Sequence, residues 1–139
     1  WRSVGHTHTG YVVETFIDEL LEKAGKDPVQ GRLALMKGHE RLAGVLRRVA
    51  AMAGGMNAPS ERARGVAAVE SFSSYVAQIA EVSMERGLPR VHKVWCAVDC
   101  GIAVNPEIIK AQMEGGIGYG LSAVLYNELS LNERGDAGC

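Results

Sequence analysis

No stretch of the sequence runs to the roughly 18 consecutive apolar residues of a membrane-spanning helix, and no signal-peptide pattern stands in these residues. An excess of one charge sign is missing too. Lys and Arg number 15 against 16 Asp and Glu, a net charge of -1 that points to neither nucleic acid nor an anionic membrane. Cysteine is scarce: three residues, an odd number, make no disulfide framework, and none stand in C-x-x-C spacing. Internal repeats and low-complexity segments are absent.

What remains is ordinary globular composition, 47% hydrophobic and 22% charged. At 139 residues the chain is long enough for one domain with a modest core. It starts at Trp1 rather than at methionine and stops just after a strand-like LSL, so the expectation is a piece of a longer polypeptide.

Residues 1–10, WRSVGHTHTG, show no periodicity and read as a loop. YVVETFIDELLEKAG follows with Val12, Val13, Phe16, Ile17, Leu20 and Leu21 at helical spacing, and Gly25 is a natural stop. Asp27-Pro28 reads as an N-cap with proline at the first helical position, and Gln30 stands where a capping box places it. That second helix is expected to run to about Lys37. A third runs from Glu40 to Ala53 and ends at Gly54-Gly55. After Gly65, GVAAVESF and YVAQIAEVSM read as strands, and ERGLP as a turn. RVHKVWCAVDC alternates, with Val91, Lys93, Trp95, Ala97 and Asp99 on one face and His92, Val94, Cys96 and Val98 on the other. A hairpin of strands 74–84 and 90–99, then a long glycine-rich helix, completes the reading. The fold class is α+β: one partial domain over 1–139, helical in 1–55, with hairpin and glycine-rich helix in 64–131.

Glycines at 115, 116, 118 and 120 interrupt the last helix, each costing about 1 kcal/mol against alanine. GGIGYG is not a dinucleotide fingerprint. From Gly116 the pattern needs glycine at 121, which is Leu121; from Gly115 it needs glycine at 117, which is Ile117. On a helix, Gln112, Gly116, Gly120 and Ala123 form one narrow small-residue face with a polar head. One reading is tight packing against a sheet. The other is that Gln112 presents a carboxamide, donor and acceptor together, to a bound cofactor.

Other candidates are weaker. Asn105-Pro106 reads as a helix cap and Asp99 as a turn or neighbour contact. His6 and His8 have the H-x-H spacing of some metal hydrolases, but no third ligand stands near them, and His39 and His92 lie in unrelated contexts. Cys96 and Cys100 read as buried free thiols. Glu70 or Glu81 could serve as a carboxylate base, yet no spacing selects either, and Arg62 and Arg64 read as a solvated loop.

The run WRSVGHTHTGYVVETFIDELLEKAGKDPVQGRLAL, then ESFSSYVAQIAEVSM, then VDCGIAVNPEIIKAQMEGGIGYGLS, resembles the large subunit of the molybdenum hydroxylases, the xanthine dehydrogenase and aldehyde oxidase superfamily. The nearest branch is the isoquinoline 1-oxidoreductase beta subunit with its related aldehyde dehydrogenases. The resemblance covers nearly the whole chain. It is strongest in D-x-G-x-x-x-N-P followed by Q-x-E-G-G: Asp99, Gly101, Asn105, Pro106, Gln112, Glu114, Gly115 and Gly116.

The resemblance implies a molybdopterin-dependent oxidoreductase that hydroxylates N-heterocycles or oxidises aldehydes with oxygen from water. It implies molybdenum on a molybdopterin cytosine dinucleotide, iron–sulfur clusters on a small partner subunit, and a cytochrome or other electron acceptor beyond. Gln112 matches the family's pterin-contacting glutamine, with Gly115 and Gly116 in the same motif. Arg2 matches an arginine beside the molybdenum pocket. The wider family's loop there reads aromatic-Arg-Gly-aromatic-Gly; Ser3 and Val4 replace its middle pair, which argues against xanthine as substrate. The family's general base, a glutamate in Gly-x-Gly-Glu, and its earlier glycine-rich cofactor loops are not in this chain. The isolated segment is therefore expected to be inactive. The competing expectations are a stand-alone interaction module that keeps the scaffold without the chemistry, and a metal hydrolase using His6 and His8.

Overall fold

The computed structural model describes residues 2–135, 137 and 138; Trp1, Asp136 and Cys139 lie outside the described residues. Four helices and two small antiparallel sheets follow one another: α1 (His6–Lys23), α2 (Pro28–Leu35), α3 (Glu40–Ala53), β1 (Ala63–Ser71), β2 (Ser74–Glu85), β3 (Leu88–Asp99), α4 (Pro106–Leu125), β4 (Ser130–Leu131) and β5 (Ala137–Gly138). The class is α+β. The chain divides into two units, Trp1–Gly101 and Ile102–Cys139.

Local chemistry sets the helix ends of the first unit. Asp27 caps α2, its Oδ1 accepting from the backbone N–H of Val29 at 2.9 Å and of Gln30 at 2.8 Å. α2 ends at Leu35, two residues short of the expected Lys37. α3 stops at Gly54, whose φ of 73° suits a residue without a Cβ. The expected loop over residues 1–10 is shorter than the pattern suggested. α1 begins at His6, and its polar first turn is held by backbone bonds together with the Thr9 hydroxyl donating to Gly5 O at 2.8 Å.

The sheet order is β1-β2-β3. Both turns are two residues long with positive φ at each: Phe72 and Ser73 at 49° and 60°, Arg86 and Gly87 at 54° and 80°. That geometry matches the right-handed twist of the flanking strands. Ala68 pairs with Ala77, and Ala77 with Ala97, so a row of alanines crosses all three strands. α3 lies over this row. Its Val45, Leu46, Val49 and Ala53 pack with Val29 of α2 against Val66, Ala68, Ala77, Ile79 and Ala97. Leu46, Val49 and Ile79 are fully buried, each contributing roughly 1.5–3 kcal/mol.

A register shift at Glu81/Val82 alters the expected alternation of β3. Glu81 pairs with Lys93 but Val82 pairs with Val91, which leaves His92 as the extra residue. Val91 therefore joins the face of Val82, opposite Trp95. His92 Nε2 instead meets the Ser83 hydroxyl at 2.8 Å.

α1 differs from its sequence pattern more sharply. Val12, Val13, Phe16 and Leu20 are exposed, and the buried residues of the helix are Glu14 and Leu21. Glu14 turns inward because it has partners there. Its Oε2 accepts from Arg32 Nε at 2.9 Å and from the backbone N–H of Ala68 at 2.9 Å. Arg32, 1% exposed, also donates to Glu14 O at 3.0 Å and reaches Asp18 at 2.7 Å. One ion-pair cluster thus ties α1 to α2 and to the outer edge of β1.

Candidate functional site

In the second unit, α4 starts where its sequence directs. Asn105 Oδ1 accepts from the N–H groups of Glu107 and Ile108 at 3.1 and 3.2 Å, and Pro106 takes the first helical position. Gln112 lies two turns in and is exposed, as are Gly115 and Gly116. A Cβ built on Gly115, Gly116, Gly118 or Gly120 would meet no heavy atom of its own unit within 4 Å. The expected tight packing of these glycines is not made within the unit. The small-residue face stands open beside the Gln112 carboxamide. Apolar side chains lie round much of the rest of the helix, and Ile108, Tyr119 and Val124 are exposed. Its charged residues Glu107, Lys110 and Glu114 share one face, with Lys110 Nζ 4.0 Å from Glu114 Oε1.

Arg2 lies in the first unit, exposed, in the turn before α1; Gln112, Gly115 and Gly116 lie in the second. The His6–His8 pair finds no third ligand among the described residues. The His6 ring meets the Phe72 ring edge-on at 5.6 Å, and no group of three His, Cys, Asp or Glu among the described residues could hold a metal ion. Among the described residues, no helix is long and apolar enough to cross a membrane. Cys96 is half-buried, and burial pushes its thiol pKa up; Cys100 is exposed rather than buried as expected.

Two carboxylates are held by arginines. The expectation that Arg62 and Arg64 form a solvated loop is corrected for Arg64; Arg62 lies exposed just before β1 but is paired. Arg62 Nη1 donates to Glu81 Oε1 at 2.7 Å, and Arg64 donates twice to Glu81 Oε2 at 3.0 and 2.8 Å. Arg64 also caps the end of α3 through Ala53 O and Gly55 O, and lies 4.7 Å over the Trp95 ring. The reason is placement: β1 begins at Ala63, so Arg64 points inward from a strand rather than outward from a loop. Asp99 forms a two-point pair with Arg41, at 2.8 and 2.7 Å, and accepts from Gly101 N–H at 3.0 Å.

These partners lower both carboxyl pKa values: Arg62 and then Arg64 for Glu81, Arg41 and then the Gly101 N–H for Asp99. A carboxylate held ionised in this way is a poor general base. Its folded-state pKa lies below the unfolded one, so its stabilisation is complete above about pH 5. It fades as pH falls through the ordinary values of 4.5 and 3.8 toward the lower folded ones. The urea midpoint is expected to drop between pH 6 and pH 3, and the drop is expected to be shallower in Glu81→Gln and Asp99→Asn. Equal slopes in wild type and both variants would show that these pairs do not couple to folding.

Asp99 also borders a cleft of about 520 Å³ between α3 and the end of β3, lined by residues that include Arg41, Gly44, Arg48 and Met52 on the helix and Cys96 to Asp99 on the strand. The sequence pattern did not bring Arg48 forward, because nothing along the chain relates it to β3.

The second unit suits a flat, hydrogen-bonding cofactor at α4: an amide offering donor and acceptor, beside helix positions with no side chain to hold a ligand off. The sequence profile of the molybdopterin cofactor-binding domain matches residues 20–137, nearly all of the chain. Isoquinoline 1-oxidoreductase subunit beta of Brevundimonas diminuta is 35% identical over 136 residues, covering 94% of this chain and 17% of that protein. The membrane-bound aldehyde dehydrogenase [pyrroloquinoline-quinone] of Gluconacetobacter polyoxogenes is 31% identical, covering 94% of this chain and 20% of that protein. The nicotine 6-hydroxylase large subunit of Paenarthrobacter nicotinovorans is 33% identical over 60 residues, 43% of this chain and 7% of that protein. No solved structure matches. The chain thus spans a fifth or less of the length of these relatives, and by its profile and its identity to them it belongs to the molybdopterin cofactor-binding domain family.

Proposed function

We propose that this chain is a segment of the large subunit of a molybdopterin-dependent oxidoreductase that hydroxylates N-heterocycles or oxidises aldehydes, with water as oxygen source. The observation that carries the reading is α4: the Gln112–Gly116 motif lies on a largely apolar helix, open at its glycines, within the matched family region. The names of the relatives support the substrate classes. When bound, the molybdenum cofactor, in its cytosine dinucleotide form, supplies the two-electron chemistry.

The chain's own residues would position it. The Gln112 carboxamide would hydrogen-bond the pterin, and Gly115 and Gly116 would let backbone come close to it. Arg2 would place a cation beside the metal pocket. Electrons would leave to iron–sulfur clusters on a small partner subunit and then to a cytochrome or similar acceptor. The 139 residues contain no Gly-x-Gly-Glu, so the isolated chain is expected to lack turnover.

The test begins with the native gene product, detected in its source cells by an antibody against this segment. A species several times larger than 14.9 kDa that carries molybdenum is expected. In that species Gln112→Ala should weaken cofactor retention about tenfold, the scale of one lost hydrogen bond. A native species of 14.9 kDa without molybdenum would overturn the reading. It would favour the alternative of a non-catalytic interaction module, for which the exposed Val12, Phe16 and Leu20 of α1 are the relevant observation.

A further inference from the structure

Glu14, Gly10 and His6, four residues apart on one face of α1, meet β1 and its turn in succession. Glu14 Oε2 takes the Ala68 N–H at 2.9 Å, a Cβ on Gly10 would stand 3.3 Å from Val69 Cγ2, and the His6 ring meets the Phe72 ring edge-on at 5.6 Å. α1 therefore runs along β1 towards the Phe72–Ser73 turn, and its N-terminal end lies at that turn. Arg2 stands four residues before His6, in the turn that leads into the helix. All of these residues belong to the first unit.

The same corner carries backbone strain. Of the five non-glycine residues with positive φ among the described residues, three stand here: Val4 at 47°, Phe72 at 49° and Ser73 at 60°. A β-branched or bulky side chain is the least suited to that region. A two-residue hairpin asks only for positive φ, which Asn-Gly supplies without such strain. The other hairpin of the sheet uses glycine, Gly87, at its second position; the Phe72–Ser73 turn has none. Turn formation thus gives no reason for an aromatic ring at 72, and strain of this kind gathers at residues held in place to meet a ligand. Val4 brings no ring to the corner that holds Arg2. Phe72 does, against the His6 ring.

We propose that Phe72 is a specificity-determining residue of the oxidoreductase proposed above. Its ring packs against the flat ring of an aromatic heterocycle or aryl aldehyde held beside Arg2, and so favours aromatic substrates over aliphatic ones. This inference rests on the placement of Arg2 beside the metal pocket.

The experiment uses the full-length, molybdenum-bearing subunit with benzaldehyde and butanal as probes. Phe72→Gly should lower the ratio of kcat/KM for benzaldehyde to that for butanal about tenfold, mainly through a raised KM for benzaldehyde. Its thermal midpoint should hold or rise, because glycine relieves the positive φ. Phe72→Tyr keeps the ring and should keep the ratio within about twofold. Equal loss on both aldehydes, with or without a lowered midpoint, would overturn the proposal by making Phe72 a packing residue of the fold. An unchanged ratio in Phe72→Gly would overturn it as well, and with molybdenum present it would do so without touching the cofactor assignment. Full-length protein that carries no molybdenum would sink that assignment, and this inference with it.

Discussion

Arg32→Ala is expected to cost about 3–5 kcal/mol of unfolding free energy, measured by urea denaturation with Trp95 as the fluorescent reporter. The magnitude comes from what the substitution leaves behind. Glu14 is buried, and without Arg32 its carboxylate keeps only the Ala68 N–H. Arg32 also donates to the Glu14 and Pro28 carbonyls, at 3.0 and 3.2 Å, so α1 and α2 lose their shared clamp. The double variant Glu14→Gln/Arg32→Met should recover much of the loss, because an amide and a thioether leave no buried charge unpaired. A loss below about 1 kcal/mol for Arg32→Ala would mean that water reaches Glu14.

Leu46→Ala should cost about 2–5 kcal/mol in the same assay, from lost transfer free energy and the cavity left behind. Leu46 is fully buried at the centre of α3, against the face of the sheet that carries the alanine row. Alanines offer little freedom to fill a hole, since they have no rotamers to change, so the value is expected in the upper half of that range. Met52→Ala, on the exposed flank of the same helix, is the control and should change stability by no more than about 0.5 kcal/mol.

Sequence pattern was most informative where structure is local. The Asp27-Pro28 and Asn105-Pro106 caps form as their side-chain chemistry requires, and α3 spans the expected Glu40–Ala53. Strands and turns fall near their expected positions because alternation and turn residues act over a few positions only. The α1 stripe misled for a related reason. Periodicity identifies a helix, but it does not say which face meets the rest of the molecule. Glu14 is buried because Arg32, 18 residues later, and Ala68, 54 residues later, stand ready to satisfy it.

The candidate site divides along the same line. Gln112, Gly115 and Gly116 are consecutive enough to carry a family motif, so they could be named from order alone. Arg62, Arg64 and Glu81 could not be joined that way, because only antiparallel pairing of β1 with β2 brings positions 17 and 19 residues apart into contact. Cys96 and Arg48 share a cleft for the same kind of reason.

The order of residues alone determined the helix caps, the α+β class and the Gln112–Gly116 sequence motif on α4, since each depends on neighbours within a turn or two of chain. Tertiary structure alone decided which charges are buried and which strand edge Glu14 closes. Those outcomes depend on desolvation and on partners far apart in sequence, and both exist only once the chain has folded.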